Sequence, residues 1–302
     1  MQATMKRAGK KKGKVTIPGI LNMIVLVLFA FICVYPLYYV LINSLSTPTA
    51  VIRGTYFFPT EFSLEAYKNL GKIAGIGSSV IVSILRTTLG SLLTMLCSSF
   101  VAYLLTHKDM PMKKGLYRFI ILTMYVNAGF IPYYLVITNL HLKNNFLVYI
   151  LPTAVSAYFI ILIKTYIESI PPSMWESAEI DGAGILTIYF RIIVPLAKPI
   201  LACIVIFAAV NQWNAWSDDM FFMQGSKARN LHCLQFLLYQ NLQSNLASAI
   251  SKDTAASGAA IKITPTTLRM AMTFVTVMPI LCVYPFMQRY FTKGIMLGAV
   301  KG

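Results

Sequence analysis

Residues 19–43 read GILNMIVLVLFAFICVYPLYYVLIN, and no charged residue occurs anywhere between Val15 and Ile52. A helix needs about 20 apolar residues to cross the roughly 30 Å hydrocarbon core of a bilayer. The run is also far longer than the apolar segment of a cleaved signal peptide, which has about 7–15 residues. The stretch therefore predicts an uncleaved first membrane-spanning helix, and it decides the fold class.

The composition of the whole chain agrees with a lipid environment. Of its 302 residues, 57% are apolar and 12% are charged, whereas about 25% of the residues in a soluble domain are charged. The net charge of +16 does not indicate nucleic-acid binding, because the chain lacks the polar surface that surrounds a nucleic-acid-binding patch. Four of the five cysteines lie in apolar runs, so we expect neither a disulfide framework nor a metal site.

Uncharged stretches long enough to span recur along the chain. They predict an all-α integral membrane protein with about six transmembrane helices, in which residues 1–17 form a basic tail and residues 18–302 form the transmembrane domain. The predicted spans lie near 19–43, 79–105, 118–139, 146–166, 195–216 and 270–290.

The distribution of Lys and Arg predicts the orientation. With the N-terminus inside, the inner segments hold 16 of the 26 basic residues and the longer outer segments hold 9. Because basic residues accumulate on the cytoplasmic side, both termini are predicted to be cytoplasmic. The segment 170–195 is then an inner loop, and the long polar segment 217–269 is an outer loop.

Arg86 lies well inside the second predicted span. A charge at the centre of a membrane helix costs about 2.5–3.5 kcal/mol on insertion scales. Two interpretations stay open. The first, which we favour, is that Arg86 snorkels to the outer interface or makes a structural contact. The second is that Arg86 contacts a transported solute.

The inner loop between the fourth and fifth predicted spans reads IPPSMWESAEIDGAG over residues 170–184. Its two prolines disfavour continuation of the fourth helix. Ser173 followed by Glu176 is the pattern of a capping box, which predicts a new helix starting at about Met174. Asp181 and Gly182, with Gly184, predict a turn before a second amphipathic piece. Trp175 on this short helix is either a docking site for a soluble partner or part of a linker that rests on the lipid headgroups.

The same loop resembles the EAA loop of bacterial ABC importer permeases. The matching residues are Glu176, Ala178, Asp181, Gly182 and Ala183, followed by Phe190, Ile193, Pro195 and Pro199; Ser177 stands where the family has a second Ala. The Tyr35-Pro36 pair, the NQWNAW segment at 211–216 and the C-terminal segment from Tyr284 to Lys301 also resemble carbohydrate permeases. The chain is most similar to the maltose-permease-like second subunit, in the branch for complex or acidic oligosaccharides.

This resemblance implies a type I ABC-importer permease in a bacterial cytoplasmic membrane. It implies two cytoplasmic ATPase subunits, a homologous second permease that forms a heterodimer, and an extracytoplasmic solute-binding protein as partners. The chain has no GxxxxGK[ST] phosphate loop, so ATP and Mg²⁺ are expected on the partner ATPase and no cofactor on this chain. The residues implied to couple to the ATPase are Trp175, Glu176, Ser177, Ala178, Asp181, Gly182, Ala183 and Gly184.

Side chains suited to sugar binding occur near the ends of several predicted spans. Aromatic rings stack on sugar faces, and amides exchange hydrogen bonds with hydroxyls. The candidates for the solute pathway are Asn127, Tyr133, Asn211, Trp213 and Trp216, although Trp and Tyr also populate membrane interfaces. The low-complexity stretch 251–260 either contacts the solute-binding protein or is a flexible spacer.

Two other classes of protein fit the sequence less well. A membrane-embedded glycan or lipid enzyme needs clustered acid and base groups, and only Asp218 and Asp219 form a pair, with no His expected nearby. A secondary transporter driven by an ion gradient needs a buried carboxylate or ion site, and no Asp or Glu lies in a predicted span. We therefore expect no catalytic residue in this chain.

Overall fold

The computed structural model describes residues 17–73, 75–243 and 265–294. In these ranges the chain forms helices and no strand, with an isolated antiparallel bridge between Ser46 and Phe62. The helices are α1 (Ile17–Ser44), α2 (Pro48–Arg53), α3 (Glu65–Leu70), α4 (Ile76–Thr106), α5 (Lys113–Tyr125), α6 (Phe130–Asn139), α7 (Ala157–Glu168), α8 (Ser173–Ile180), α9 (Ile185–Ile188), α10 (Val194–Leu196), α11 (Lys198–Asn214), α12 (Ser217–Phe222), α13 (Leu234–Gln243) and α14 (Pro265–Gly294).

Three helices are long and apolar enough to cross a membrane. They are α1, α4 and the Thr266–Pro285 part of α14, which correspond to the predicted spans 19–43, 79–105 and 270–290. The predicted spans 118–139 and 195–216 are bent pairs instead, so the described residues supply three spans, or five if each pair crosses once. The basic tail at residues 1–16 lies outside the described residues, and the side on which each terminus lies stays a prediction.

The two bends follow from local sequence. The chain bends by 118° between α5 and α6. At this break Gly129 adopts a φ of 81° and donates its N–H to Asn127 Oδ1 at 2.9 Å. The second pair bends by 85° between Leu196 and Lys198. Pro199 in the first turn of α11 has no N–H, so it suits a helix start and not a helix interior.

The predicted span 146–166 is not one continuous helix. It consists of a 3₁₀ turn at Phe146–Tyr149 and the 12-residue helix α7, which at 1.5 Å per residue is about 18 Å long and too short for the hydrocarbon core. Pro152 cannot donate to a helix through this point, and Ser156 caps α7 by accepting from the N–H of Phe159 at 3.5 Å.

Helix α4 is the centre of the bundle and packs against both α11 and α7. Its buried face consists largely of small residues, which let neighbouring helices approach closely. These residues include Ser83, Gly90, Ser91, Thr94, Ser98, Ser99 and Ala102. The largest apolar cluster lies between α4, α7 and α11 and contains Tyr103, Ile160, Ile163 and Ile204.

Residues 217–269 were predicted to form a long polar outer loop; the described part, residues 217–243, contains helices, and the side of the membrane on which it lies stays a prediction. The segment forms α12, a 3₁₀ turn and α13, and its apolar side chains Phe222, Met223, Cys233 and Leu234 are buried. Short apolar stretches between polar residues fall below the length that identifies a membrane span, so the sequence did not distinguish them from a loop. The low-complexity stretch 251–260 lies outside the described residues.

Candidate functional site

A cavity of about 580 Å³ lies between α4, α7, α11 and the irregular segment before α7. Its lining combines one cation, one carboxylate, hydroxyls, amides and aromatic rings. The lining residues are Arg86, Thr94, Pro152, Thr153, Val155, Ser156, Tyr158, Phe159, Phe207, Ala208, Asn211, Gln212, Ala215 and Asp218. A mixed surface of this kind can hold a polar, hydroxyl-rich solute.

Arg86 does not snorkel to the interface, because its side chain is only 1% exposed. Its Nε donates to Gln212 Oε1 at 2.9 Å, and its two Nη atoms donate to Ala215 O and to Asp218 Oδ2, each at 2.8 Å. The structural contact expected as one interpretation of Arg86 is therefore present. Snorkelling was wrong because a sequence does not reveal partners 126 to 132 residues away.

Gln212 joins three parts of the cavity wall. Besides accepting from Arg86, it donates through Nε2 to Thr153 Oγ1 at 2.6 Å and to Tyr149 O at 3.2 Å. Its side chain lies directly against the backbone of Gly90, where a Cβ would be 2.6 Å from Nε2. Gly90 thus leaves the space in which this amide bridges α4, α11 and the segment before α7.

The second carboxylate of the pair has a different role. Asp219 is fully buried, and its Oδ1 lies 2.6 Å from Nδ1 of His232. Its Oδ2 accepts from the N–H of Cys233 at 2.5 Å. The expectation that no His lies near this carboxylate pair is therefore wrong, because the turn before α13 brings residue 232 back to α12.

This arrangement is structural and not suited to acid–base chemistry. Both oxygens of Asp219 are used inside the protein, and burial raises the pKa of the neighbouring Cys233 thiol to about 12, which leaves it unreactive at neutral pH. Burial also raises the pKa of the Asp218 carboxyl, and the Arg86 guanidinium opposes that shift. The carboxylate that reaches the cavity is thus already paired.

The five residues predicted to line a solute pathway do not form one site. Asn211 lies in the cavity beside Arg86, whereas Asn127 and Tyr133 line a separate cavity of about 480 Å³ at the bend between α5 and α6. Trp213 donates through Nε1 to Thr276 O at 3.0 Å, and Trp216 stacks on Tyr239 with 4.2 Å between ring centroids.

Several lining residues were missed by the sequence reasoning. Thr94, Thr153 and Gln212 face the cavity, and Thr94 Oγ1 also donates to Thr153 O at 2.8 Å. Hydroxyl residues in a membrane helix carry no distinguishing pattern, because they bond equally well within their own helix or across to a neighbour. The only available signal was Gln212, a strongly polar side chain within a predicted span.

The segment 170–184 begins its helix differently from the prediction. Helix α8 starts at Ser173, one residue early, and no side-chain hydrogen bond caps it. The first amides donate to Pro171 O and Pro172 O at 3.1 Å, because Pro172 already has helical dihedral angles. The predicted capping box is therefore wrong.

The end of α8 explains the DGA part of the motif. Gly182 has a φ of 77° and donates to Glu179 O at 3.0 Å, while Ala183 donates to Ala178 O at 2.9 Å. These two bonds form a Schellman motif, which requires a left-handed residue at the position of Gly182 and favours an apolar contact between the positions of Ala178 and Ala183. Gly184 has an ordinary negative φ of −69°.

One face of α8 packs against the rest of the chain, and the opposite face is exposed. Trp175, Ala178 and Ala183 are half-buried and pack against the apolar cluster of α4, α7 and α11, so part of the Trp175 side chain is used inside the chain, and its role in docking stays a prediction. Ser177, Asp181, Gly182 and Gly184 are exposed, and Ile180 is exposed by 87%.

Two side-chain contacts hold α8 to the C-terminal end of α4. Glu176 Oε1 lies 2.5 Å from Lys108 Nζ, and Glu179 Oε1 lies 3.6 Å from His107 Nε2. The Glu176 hydrogen bond and charge raise the pKa of Lys108. Ser99 and Tyr189 add a buried link of 2.6 Å between their hydroxyls.

The sequence of this chain matches a known protein family. Residues 94–297 match the family described as binding-protein-dependent transport system inner membrane component. The chain is 36% identical to the polygalacturonan/rhamnogalacturonan transport system permease protein YtcP of Bacillus subtilis, over 92% of this chain and 96% of that one. It is 31% identical to protein LplC of the same organism, over 90% of both chains.

A solved structure is also similar over nearly the whole chain. It is a crystal structure of a bacterial ABC transporter involved in the import of the acidic polysaccharide alginate, with a TM-score of 0.83, 28% identity and coverage of 91% of this chain and 96% of that chain. The family match covers about two thirds of the sequence and the relatives cover more. The chain therefore belongs to the family of binding-protein-dependent transport system inner membrane components.

Proposed function

We propose that this chain is a permease subunit of an ABC importer and forms half of the translocation pathway for an oligosaccharide in a bacterial cytoplasmic membrane. The observation that carries the proposal is the near full-length similarity to a polygalacturonan/rhamnogalacturonan permease in a chain with a polar, aromatic cavity between its central helices. The solute passes this cavity, and the second half of the pathway comes from a homologous permease in a heterodimer.

The cavity lining supports a sugar as solute. Asn211 and the hydroxyls of Thr153 and Ser156 can exchange hydrogen bonds with sugar hydroxyls, while the rings of Tyr158 and Phe207 offer apolar faces for stacking. The charges of Arg86 and Asp218 cancel within the wall. Recognition by this half of the pathway then relies on hydroxyls, amides and rings.

The energy for transport enters through two partner ATPase subunits, which hold the ATP and Mg²⁺. The exposed face of α8 and its turn is the docking surface, with Ile180 as its apolar centre and Ser177, Asp181 and Gly182 around it. Trp175, Ala178 and Ala183 contribute by holding the loop against the chain's own core. An extracytoplasmic solute-binding protein delivers the sugar, in keeping with the description of the family.

The contacts between α8 and α4 support a route for the motion. Helix α4 is one continuous helix from Ile76 to Thr106, and it carries Arg86 and Thr94 in the cavity wall. A displacement of α8 acts on its inner end through the Lys108–Glu176 and His107–Glu179 contacts. ATP binding that favours one loop position would thereby favour one state of the cavity.

The docking surface is tested by co-purification with candidate ATPase subunits in detergent. Ile180→Asp is compared with Met112→Asp, because Met112 is 86% exposed and lies in another segment that is predicted to be cytoplasmic. We expect Ile180→Asp to lose the ATPase, while Met112→Asp keeps it. Equal binding by both variants would contradict the assignment of the docking surface.

Transport itself is tested with the assembled complex in proteoliposomes. We expect uptake of a labelled oligosaccharide to require ATP and the solute-binding protein, and to survive collapse of ion gradients. Uptake that continues without ATP and stops when an ion gradient is dissipated would contradict the importer proposal and favour a secondary transporter.

A further inference from the structure

The segment after α2 folds back along α1 instead of projecting away from it. The hydroxyl of Tyr35 donates to Tyr56 O at 3.3 Å, and the hydroxyl of Tyr38 donates to Phe57 O at 2.5 Å. Tyr35 lies nine residues before the end of α1 at Ser44, which is about 13 Å of helix. The tip of the segment 54–60 therefore lies well back from the end of the helix.

This depth can be compared with the thickness of a bilayer. A 28-residue helix is about 42 Å long, which is about 12 Å more than the hydrocarbon core. When α1 is centred in the membrane, the level of Tyr35 falls inside the hydrocarbon. The loop tip beside it then reaches the same level.

The side chains of the tip suit that position. The segment 54–60 reads GTYFFPT and has no charged residue. Tyr56, Phe57 and Phe58 are all largely exposed, Phe58 by 78%. The ring of Phe57 lies 6.1 Å from that of Tyr35, which stacks on Phe31 at 5.7 Å. The aromatic tip thus continues the exposed apolar surface of α1.

Part of the backbone of the tip is hydrogen-bonded to α1. Asn43 Nδ2 of α1 donates to Thr55 O at 3.3 Å. Together with the bonds from Tyr35 and Tyr38, side chains of α1 thus donate to the three consecutive carbonyls of residues 55, 56 and 57. An irregular loop is normally excluded from lipid by its unpaired backbone groups. Here the carbonyls of residues 55–57 are paired at the positions where the rings are exposed.

The polar groups lie at the other end of the loop, where water is expected. Glu61 accepts from the hydroxyls of Thr47 at 2.5 Å and Thr49 at 3.2 Å. Backbone bonds from Thr47 N to Glu61 O and from Ser63 N to Leu45 O close this neck at 3.0 and 2.8 Å. The loop therefore has a charged neck at the end of α1 and an apolar tip along its side.

From this geometry we propose that residues 54–60 form an aromatic loop that inserts into the lipid of one leaflet, the outer one in the predicted orientation. Its partner is the acyl and glycerol region of the bilayer. The loop anchors the outer end of α1, with the Tyr35 and Tyr38 hydroxyls as the clamp. The proposal requires that α1 spans the membrane but does not depend on the transported solute.

The test is a depth measurement by spin labelling of the full chain in lipid nanodiscs. A nitroxide is attached at Phe58→Cys in a variant whose five native cysteines are replaced by alanine. Val27→Cys in the apolar part of α1 serves as the lipid control, and Lys68→Cys on exposed α3 serves as the aqueous control. Collisions with oxygen report lipid, and collisions with a water-soluble nickel chelate report water.

We expect the ratio of oxygen to nickel collisions at position 58 to be several-fold above that at position 68 and close to that at position 27. A ratio equal to that at position 68 would overturn the proposal. Low collision rates with both reagents in the assembled transporter would also overturn it, because they would show that another subunit covers the tip. A position 27 label in water would contradict the span and hence the membrane assignment itself.

A second measurement tests the clamp. The double variant Tyr35→Phe with Tyr38→Phe keeps both rings but removes both hydroxyls, and we expect it to lower the oxygen-to-nickel ratio at position 58 several-fold. The control Tyr125→Phe, at an exposed tyrosine of α5, should leave the ratio unchanged. An unchanged ratio in the double variant would overturn the role of the hydroxyls.

Discussion

Arg86 and Asp218 form an ion pair of 2.8 Å across 132 residues of sequence, with exposed fractions of 1% and 18% for the two side chains. The pair fixes the N-terminal half of α4 to the start of α12. It also leaves the cavity wall without net charge from these two groups. A single charge in a predicted span thus has a specific partner, which lies just beyond the end of another span.

Removal of one member of this pair should destabilise the protein strongly. In Asp218→Ala the buried guanidinium loses its counter-charge, and a broken buried pair costs about 3–5 kcal/mol. The midpoint of thermal unfolding in detergent should fall markedly. Adding Arg86→Met should recover part of the loss, since no unpaired charge then remains. A double variant as unstable as the sum of both single variants would contradict the pairing.

Gly90 should be intolerant of even a methyl group. A Cβ there would lie 2.6 Å from Gln212 Nε2 and 2.8 Å from its Cδ, and that amide is held by hydrogen bonds on both sides. Gly90→Ala should therefore cost about 1–3 kcal/mol, as is usual for overpacking. Gly77→Ala in the same helix is the control, because nothing lies within 4 Å of its Cβ position. Similar unfolding midpoints for the two variants would contradict this packing.

Asn211 and Trp213 should separate transport from stability. Asn211 is exposed to the cavity, so Asn211→Ala should lower sugar uptake with little change in the unfolding midpoint. Trp213 bonds to Thr276 O on α14, and Trp213→Phe should lower the midpoint, since a lost hydrogen bond costs about 0.5–1.5 kcal/mol. Uptake per folded complex should then be retained. Uptake measured against protein amount, together with unfolding curves, distinguishes the two effects.

The Lys108–Glu176 pair should matter for coupling more than for stability. Both side chains are substantially exposed, and such surface pairs contribute about 0.2–1 kcal/mol or less. Lys108→Glu and Glu176→Lys should each reduce ATP-dependent uptake, and the charge-swapped double variant should restore it in part. If the double variant is no better than either single one, the pair does not transmit the loop motion.

The neck of the aromatic loop should loosen in acid. Hydrogen bonds from Thr47 and Thr49 lower the pKa of Glu61 from its ordinary value of 4.5. Because the folded-state pKa is lower than the unfolded one, the contact stabilises the neck above pH 4.5 and is lost as the pH falls through the lowered pKa. The mobility of a label at position 58 should rise in that range. Glu61→Gln should make this mobility independent of pH, and a persistent acid transition would contradict the assignment.

The membrane fold and the inner turn were predictable because both rest on local properties. The length of an apolar run decides whether a helix can cross lipid, which identified α1, α4 and α14. The requirement of a left-handed residue after α8 identified Gly182 as a turn former. The prediction of a continuous helix over 146–166 was wrong. The hydropathy of this run is high enough for a membrane span, but Pro152 interrupts the helix.

The sequence by itself determined where the chain meets lipid and where its inner loop turns, because hydrophobic length and helix-end geometry depend on neighbouring residues. Only the tertiary structure decided what the polar groups contact. The partners of Arg86 lie more than 120 residues away, the His beside Asp219 arrives through a turn, and Trp175 packs in part against the chain's own apolar cluster. Such pairings arise when helices assemble, and no local pattern of residue types specifies which buried donor meets which acceptor.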